Sequence, residues 1–481
     1  MNISMLIGGA DATALDGRTF ERRDPVTGEV ATIAPAAGVT DALAAAKAAA
    51  AAYPQWSQTG PGARRGLLLK AADELEAMTP DIIETATAET GATAPWTGFN
   101  CSLAAGMLRE AAAMTTQITG EIIPANKPGT LAMAQRKSLG VCLGIAPWNA
   151  PIILGTRAVA MAIACGNTVV LKASELCPAT HLAIGEAFRR AGFPDGVMNV
   201  VTNAPEDAAD VVAALIAAPE VRHINFTGST EVGRIIAQKA AEQLKPVLLE
   251  LGGKAPFIVL EDADIDAAVN GAAFGAFMNQ GQICMSTERI IVVESVADRF
   301  TAALAAKARA LPAGDPRDQV VLGALVTPEA ADKMDRIIAD ATGKGAKLVA
   351  GGARKGTIVE ATVLDHVTPE MTIYTQESFG PVKPIIRVKD EAEAIRVAND
   401  TEYGLSAAVY SSDIQRAMAV ADQIESGICH INGPTVGDEA QMPFGGVKDS
   451  GYGRFGGKAA VDAFTSIRWV TIEDPHQHYP F

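Results

Sequence analysis

Residues 222 to 233 read Arg222-His223-Ile224-Asn225-Phe226-Thr227-Gly228-Ser229-Thr230-Glu231-Val232-Gly233. The apolar run ending at Phe226 predicts a buried strand, and Thr230 to Leu244 predicts a helix after a tight glycine turn. The same grammar recurs on both sides. Val141 to Ile145, Thr168 to Leu171, Val197 to Val201 and Val247 to Leu249 predict further strands. Ala179 to Ala191, closed by Gly192 and Pro194, and Glu206 to Ala217 predict the helices between them. Strand and helix in alternation specify a parallel sheet with helices on both faces. Gly228 and Gly233 permit close approach of a pyrophosphate, and the following helix N-terminus adds free N–H donors and a favourable dipole. The spacing is G-x-x-x-x-G rather than G-x-G-x-x-G, so the loop alone also fits a plain strand-to-helix turn.

A second alternation follows. Helices are expected over Ile265 to Met278 and Asp298 to Leu311, and strands at Arg289 to Val293, Lys383 to Val388, Ser406 to Tyr410 and Ile428 to Ile431. The fold class is therefore α/β, with two Rossmann-like parallel-sheet domains. Residues 1–115 and 140–252 are assigned to a cofactor-binding domain and 253–445 to a catalytic domain. Thr116 to Arg136 and Ser466 to Glu473 alternate apolar and polar residues imperfectly and suit neither sheet. Such strands need an edge to pair with, so residues 116–139 and 446–481 are assigned to a small β oligomerisation arm and C-terminal strand. An Ala-rich helix is expected from Asp41 to Ala52, ending at Tyr53-Pro54.

At 481 residues the chain exceeds what one hydrophobic core sustains, in keeping with two domains. A formal charge of −15 disfavours nucleic acid and anionic membranes as partners. The N-terminus lacks a basic leader pattern, and no apolar run reaches membrane-spanning length. Six cysteines without CxxC or regular spacing fit a reducing compartment, hence a cytoplasmic location, and the histidines lack metal-ligand spacing, so no metal is expected.

Two residues carry the chemistry. Cys284 in Asn279-Gln280-Gly281-Gln282-Ile283-Cys284 and Glu250 in Leu249-Glu250-Leu251-Gly252-Gly253 pair a thiol with a carboxylate, each beside glycines that let backbone approach a ligand. The boundary near Gly252-Gly253 puts Glu250 at a hinge, with Cys284 facing it across a cleft. In Thr168 to Glu175, Lys172, Ser174 and Glu175 fall at the carboxyl end of a parallel strand, where open α/β sheets bind ligands. A carboxylate there accepts from both adenosine-ribose hydroxyls and repels a 2′-phosphate, which favours NAD over NADP. Read blandly, Glu175 serves a helix dipole and Cys284 is a buried thiol.

Taken in order, Pro147-Trp148-Asn149, Phe226-Thr227-Gly228-Ser229, Leu249-Glu250-Leu251-Gly252-Gly253, Asn279 to Cys284, Glu377-Ser378-Phe379-Gly380-Pro381 and Pro443-Phe444-Gly445-Gly446 resemble the aldehyde dehydrogenase superfamily over almost the whole chain. The resemblance implies that Cys284 attacks the aldehyde, that Asn149 and the Cys284 N–H hold the oxyanion, and that Glu250 activates water against the thioester. It implies roles for Lys172 in catalysis and cofactor binding, and for Glu377 and Phe379 at the nicotinamide ribose and ring. Ile145, Pro147, Trp148, Ser174, Glu175, Phe226, Thr227, Gly228, Ser229, Val232, Gly233, Leu251 and Gly252 complete the implied NAD site. Two departures stand out. Thr202-Asn203-Ala204-Pro205 replaces a glycine-rich stretch of many members, and Phe455 stands where some carry a second acid, leaving Glu250 alone for proton exit.

Within the superfamily, Gly98 to Met114 and Lys172 to Leu176 look like the vanillin and salicylaldehyde dehydrogenases. A flat aryl aldehyde wants an apolar slot with a few polar groups. Trp96, Met107, Ala150, Ile283, Met285 and Val436 are candidates for its wall, and Arg157 for a phenolic oxygen; Met107 and Met285 also read as core filler. A homodimer or homotetramer is expected. The alternatives are a CoA-acylating or aliphatic semialdehyde dehydrogenase, a Cys284-dependent esterase, and an inactive binding protein that kept the fold.

Overall fold

The computed structural model describes residues 1–481, which form two large sheets, a three-stranded one and two two-stranded ribbons. The strands Val141–Ile145 and Thr168–Lys172 are buried at every position, as strands covered on both faces must be. With Met198–Val201, Val221–Thr227 and Val247–Glu250 they make the parallel centre of an eight-stranded sheet. The short strands Met5–Ile7 and Ala10–Ala12 close one edge antiparallel, and Gly451–Tyr452 closes the other. Register fixes what shares the carboxyl edge: Ile145 pairs with both Lys172 and Phe226, and Thr227 with Glu250.

The second sheet has seven strands. Pro256–Val259, Arg289–Val293, Thr362–Asp365, Val382–Val388, Ser406–Tyr410 and Ile428–Ile431 run parallel, and Lys347–Ala350 lies antiparallel at one edge. Two Rossmann-like sheets thus build the body. The chain passes between them at residues 251–255, from the carboxyl end of one strand to the amino end of the next. Cys284 and Glu377 likewise precede the strands that begin at Arg289 and Val382. The carboxyl edge of the first sheet therefore opposes loops from the amino edge of the second, and the site lies between them.

The third sheet pairs Thr465–Ile472 with Leu131–Ser138, and the latter with Glu121–Ile123. Residues 446 to 464, expected in this arm, lie elsewhere: Tyr452 pairs with Leu249, and Phe455, Ala460 and Phe464 sit in the core of the first sheet and its helices. The N-terminal helix also departs from expectation. It runs Val39–Ser57 with Pro54 inside it, because Trp56 in the extra turn is buried and its indole N–H donates to the Ile163 carbonyl at 3.2 Å. Burial of that indole outweighs the hydrogen bond that proline removes.

One helix matters most for function. Pro151–Ala164 is buried along its entire length, packed between the sheet and the helices Pro61–Ala77 and Ala94–Met114. Small residues at Ala158, Ala160, Ala162 and Ala164 let those neighbours close in. No helix is long and apolar enough to cross a membrane.

Candidate active site

The segment before Cys284 is strained. Asn279 and Gln280 adopt φ of 48° and 57°, followed by Gly281 at 72°, three consecutive residues in the left-handed region. Non-glycine residues persist there only when their surroundings over-determine them. Here the Gln280 amide donates to the Ala324 carbonyl at 2.9 Å, and Gln282 Oε1 accepts from the Val326 N–H at 3.1 Å. Cys284 emerges half-buried, and its backbone N–H donates to no protein acceptor.

Asn149 is locked beside this loop. Its Nδ2 donates to the Gln282 carbonyl at 3.0 Å, while its own carbonyl accepts from Trp96 Nε1 at 3.1 Å and Asn279 Nδ2 at 2.9 Å. One Nδ2 hydrogen and the Cys284 N–H remain for an oxyanion, the pairing that acyl chemistry requires. Trp96 therefore supports Asn149 besides walling a pocket.

Glu250 is buried, and neither of its carboxylate oxygens has a hydrogen-bond partner in the geometry of this state. Burial pushes its carboxyl up to about 7, with Arg157 and the facing Cys284 thiol pulling the other way. Burial and the Glu250 carboxylate in turn hold the Cys284 thiol well above its ordinary value. Burial thus favours the neutral form of both groups, and a carboxyl raised to about 7 suits base catalysis near neutrality. Close approach depends on Gly253, where a Cβ would meet the Cys284 carbonyl oxygen at 2.3 Å. The Gly253 N–H donates to Glu377 Oε1 at 2.9 Å, and burial raises that carboxyl to about 7 as well. Phe379, at φ 51°, stands edge-on to Trp148 with ring centroids 5.8 Å apart.

On the opposing sheet edge, Ile145, Lys172 and Phe226 lie side by side, with Pro147 and Ser174 just beyond their strand ends. Lys172 is ion-paired to Glu175, and Asn203 Nδ2 donates to the same oxygen at 2.9 Å. Burial pushes the Glu175 carboxyl up, but Lys172 and Asn203 outweigh it and hold the group below its ordinary value. The departure at Thr202 to Pro205 is therefore a brace for Glu175. Ser229 caps the helix Thr230–Glu242 by accepting from the Val232 N–H at 3.4 Å, and Val232 itself is exposed. The glycines here also serve internal packing: a Cβ on Gly228 would strike the Phe226 ring, and one on Gly233 would strike Leu251, each at 2.4 Å. They are needed for internal packing, whatever else lies over the loop.

A cavity of about 100 Å³ opens on Cys284. Trp96, Asn149, Ala150, Arg157, Ile283, Met285 and Val436 line it, together with Phe99, Ile153, Leu154, Phe274, Met278, Asp438 and Phe444. Met107, expected in this wall, lines a separate, smaller cavity that also touches Arg157, because it lies about three turns beyond Trp96 along the same face of the helix Ala94–Met114. Ile153 and Leu154 were within reach of sequence reasoning, since Ala150, Ile153, Leu154 and Arg157 share one helical face. Arg157 is ion-paired to Asp438 and lies over the Phe444 ring, 4.1 Å from its centroid.

Sequence reasoning also missed a charged cluster under the site. Lys254 and Lys383, both fully buried, bond the two oxygens of Glu288 at 2.8 and 2.7 Å. Ser378 donates to Glu288 from its backbone at 2.8 Å and from its hydroxyl at 2.5 Å, and Lys254 reaches the Gln376 carbonyl at 2.8 Å. The cluster ties the segments of Glu250, Cys284 and Glu377 together. Burial pushes Glu288 up, yet the two ammonium groups bring it down to about 2, while burial draws Lys254 down to about 8. Replacing Glu288 with Gln should cost about 3–5 kcal/mol, because two buried cations lose their counter-ion. A urea midpoint equal to that of the parent would contradict this.

Two Rossmann-like sheets meet around Cys284, Glu250 and Asn149, the arrangement of an α/β enzyme with its site between two sheets. The profile described as "Aldehyde dehydrogenase family" matches residues 13–470, and the chain belongs to that family, whose members oxidise aldehydes with a nicotinamide cofactor. It is 59% identical over 481 residues to a vanillin dehydrogenase of Pseudomonas fluorescens, covering 100% of both chains. It is 51% identical over 483 residues to a salicylaldehyde dehydrogenase of Pseudomonas putida, again covering 100% of both. A solved salicylaldehyde dehydrogenase from Pseudomonas putida G7, complexed with salicylaldehyde, superposes with a TM-score of 0.98 at 50% identity and full coverage of both chains.

Proposed function

We propose that this chain oxidises an aromatic aldehyde to its carboxylic acid with NAD as acceptor. The observation that carries the substrate class is the apolar cavity of about 100 Å³ on Cys284, walled by Trp96, Phe99, Phe274 and Phe444. That is the size class of a cavity that holds one aromatic ring. Cys284, its proton released to solvent, adds as thiolate through Sγ to the carbonyl carbon. The oxyanion is held by Asn149 Nδ2 and the Cys284 N–H. A nicotinamide held there would supply the hydride acceptor, leaving the acyl group on Cys284 as a thioester. Glu250, as carboxylate, then deprotonates the water that attacks the acyl carbon and hands that proton to Cys284, which leaves as thiol.

The cofactor would lie along Ile145, Lys172, Glu175 and Phe226, over the helix capped by Ser229, and reach Glu377, Phe379 and Trp148 at its reactive end. Glu175 carries a negative charge braced by Lys172 and Asn203, which opposes a 2′-phosphate. Substituting Glu175 with Ala should narrow the preference for NAD over NADP by about 10-fold or more, since like charges brought together cost several kcal/mol. An unchanged ratio of kcat/KM for the two cofactors would remove Glu175 as the discriminator.

The arm sheet exposes Ile122, Ile123, Ile467, Trp469 and Ile472, an apolar surface that suits burial against a second copy. This surface supports a homodimer or homotetramer, and a monomeric mass by light scattering would overturn that reading. The six unpaired cysteines suit a reducing compartment, hence the cytoplasm, which cell fractionation tests. The function itself is tested by NADH formation with vanillin, salicylaldehyde, benzaldehyde and hexanal, with and without CoA. Preference for the aryl aldehydes, independent of CoA, supports the proposal; a preference for hexanal, or a need for CoA, overturns it.

A further inference from the structure

Asp438 lies in the loop that follows the strand Ile428–Ile431 and lines the cavity that opens on Cys284. One of its oxygens accepts from the Arg157 guanidinium. The other, Oδ1, is buried and has no hydrogen-bond partner. Leaving a buried acceptor unpaired costs about 1–3 kcal/mol, more when it is charged, and such groups call for an explanation. The pair is well enclosed, with side-chain exposure of 6% for Arg157 and 9% for Asp438. Arg157 is further fixed by its contact with the Phe444 ring. Among the polar side chains lining the slot, Asn149 and Cys284 serve the reacting carbonyl. Asp438 offers an acceptor with nothing to accept.

We infer that Asp438 determines specificity by accepting a hydrogen bond from a ring hydroxyl of the aryl aldehyde. The inference rests on the aryl-aldehyde reading above and deepens it. Arg157, expected from sequence to meet a phenolic oxygen, is already committed to Asp438. An unpaired arginine would draw in a carboxylate or a phenolate; paired, it presents no net charge, and the free oxygen beside it repels anions. The preferred substrate is therefore a neutral hydroxybenzaldehyde, and aldehydes carrying a carboxylate are refused.

The test is kcat/KM for benzaldehyde, its ortho-, meta- and para-hydroxy derivatives, their methyl ethers, and para-carboxybenzaldehyde. The enzymes compared are the parent, Asp438→Asn and Asp438→Ala. In the parent, at least one hydroxy isomer should exceed both benzaldehyde and its own methyl ether by about 10- to 100-fold, the worth of a hydrogen bond to a charged group. Both substitutions should erase that ratio. Asp438→Ala should also raise para-carboxybenzaldehyde relative to benzaldehyde, a gain that misfolding cannot produce. Ratios matter here because a change in Cys284 ionisation moves all substrates alike. A parent enzyme indifferent to the hydroxyl overturns the inference even if neither variant folds, as does a hydroxyl preference that survives both substitutions. A parent that oxidises hexanal but none of the aryl aldehydes overturns the aryl-aldehyde reading instead.

Discussion

Glu250→Gln should release a burst of NADH stoichiometric with enzyme and then stall. Glutamine fills the same buried space but cannot take a proton from water, so the thioester forms and persists. Loss of a positioned general base costs about 10²–10⁴-fold. The parent enzyme should show the matching pH dependence. With its carboxyl raised to about 7 by burial, Glu250 is protonated and idle below that value, so deacylation should climb as pH rises through about 7. In the Gln variant that limb should vanish. Rapid-mixing absorbance at 340 nm, read across pH, separates the two phases. A variant that turns over steadily with the parental pH profile would show that another group activates water.

Cys284→Ala should abolish both phases, by about 10⁴-fold or more, as removal of a covalent nucleophile does. Cys101, Cys142, Cys165 and Cys177 are buried, and Cys429 packs against the core of the second sheet and does not line the Cys284 cavity, so no other thiol stands in. The alanine also leaves Glu250 without its thiol neighbour while keeping the Asn149 lock, whose partners are backbone carbonyls and side chains of other residues. Cofactor binding should therefore persist, and fluorescence titration with NADH would verify it. Residual dehydrogenase activity within 10-fold of the parent, with NADH affinity intact, would mean that the nucleophile lies elsewhere.

Much of the frame was legible in the sequence. Buried parallel strands write themselves as unbroken apolar runs, as at Val141 to Ile145 and Val169 to Leu171. Glu250 and Cys284 stood out because a catalytic pair needs its flanking glycines. Less could be read where tertiary contact decides. Pro54 marks a helix end by local rules, yet Trp56 draws the helix onward. The fully buried Lys254, Glu288 and Lys383 carry no periodic signal, since they lie far apart in the sequence and only the fold brings them together. Gly228 and Gly233 were legible as glycines, but their obstacles, Phe226 and Leu251, are set by packing. Asp438 sits in a loop with no pattern at all, and its pairing with Arg157 spans most of the chain.

The most direct measurement is the intact mass of Glu250→Gln after incubation with NAD and benzaldehyde, followed by peptide mapping. The account predicts one benzoyl group per chain, located on Cys284. A chain that stays unmodified while the parent enzyme oxidises benzaldehyde, or an acyl group on any other residue, would contradict it.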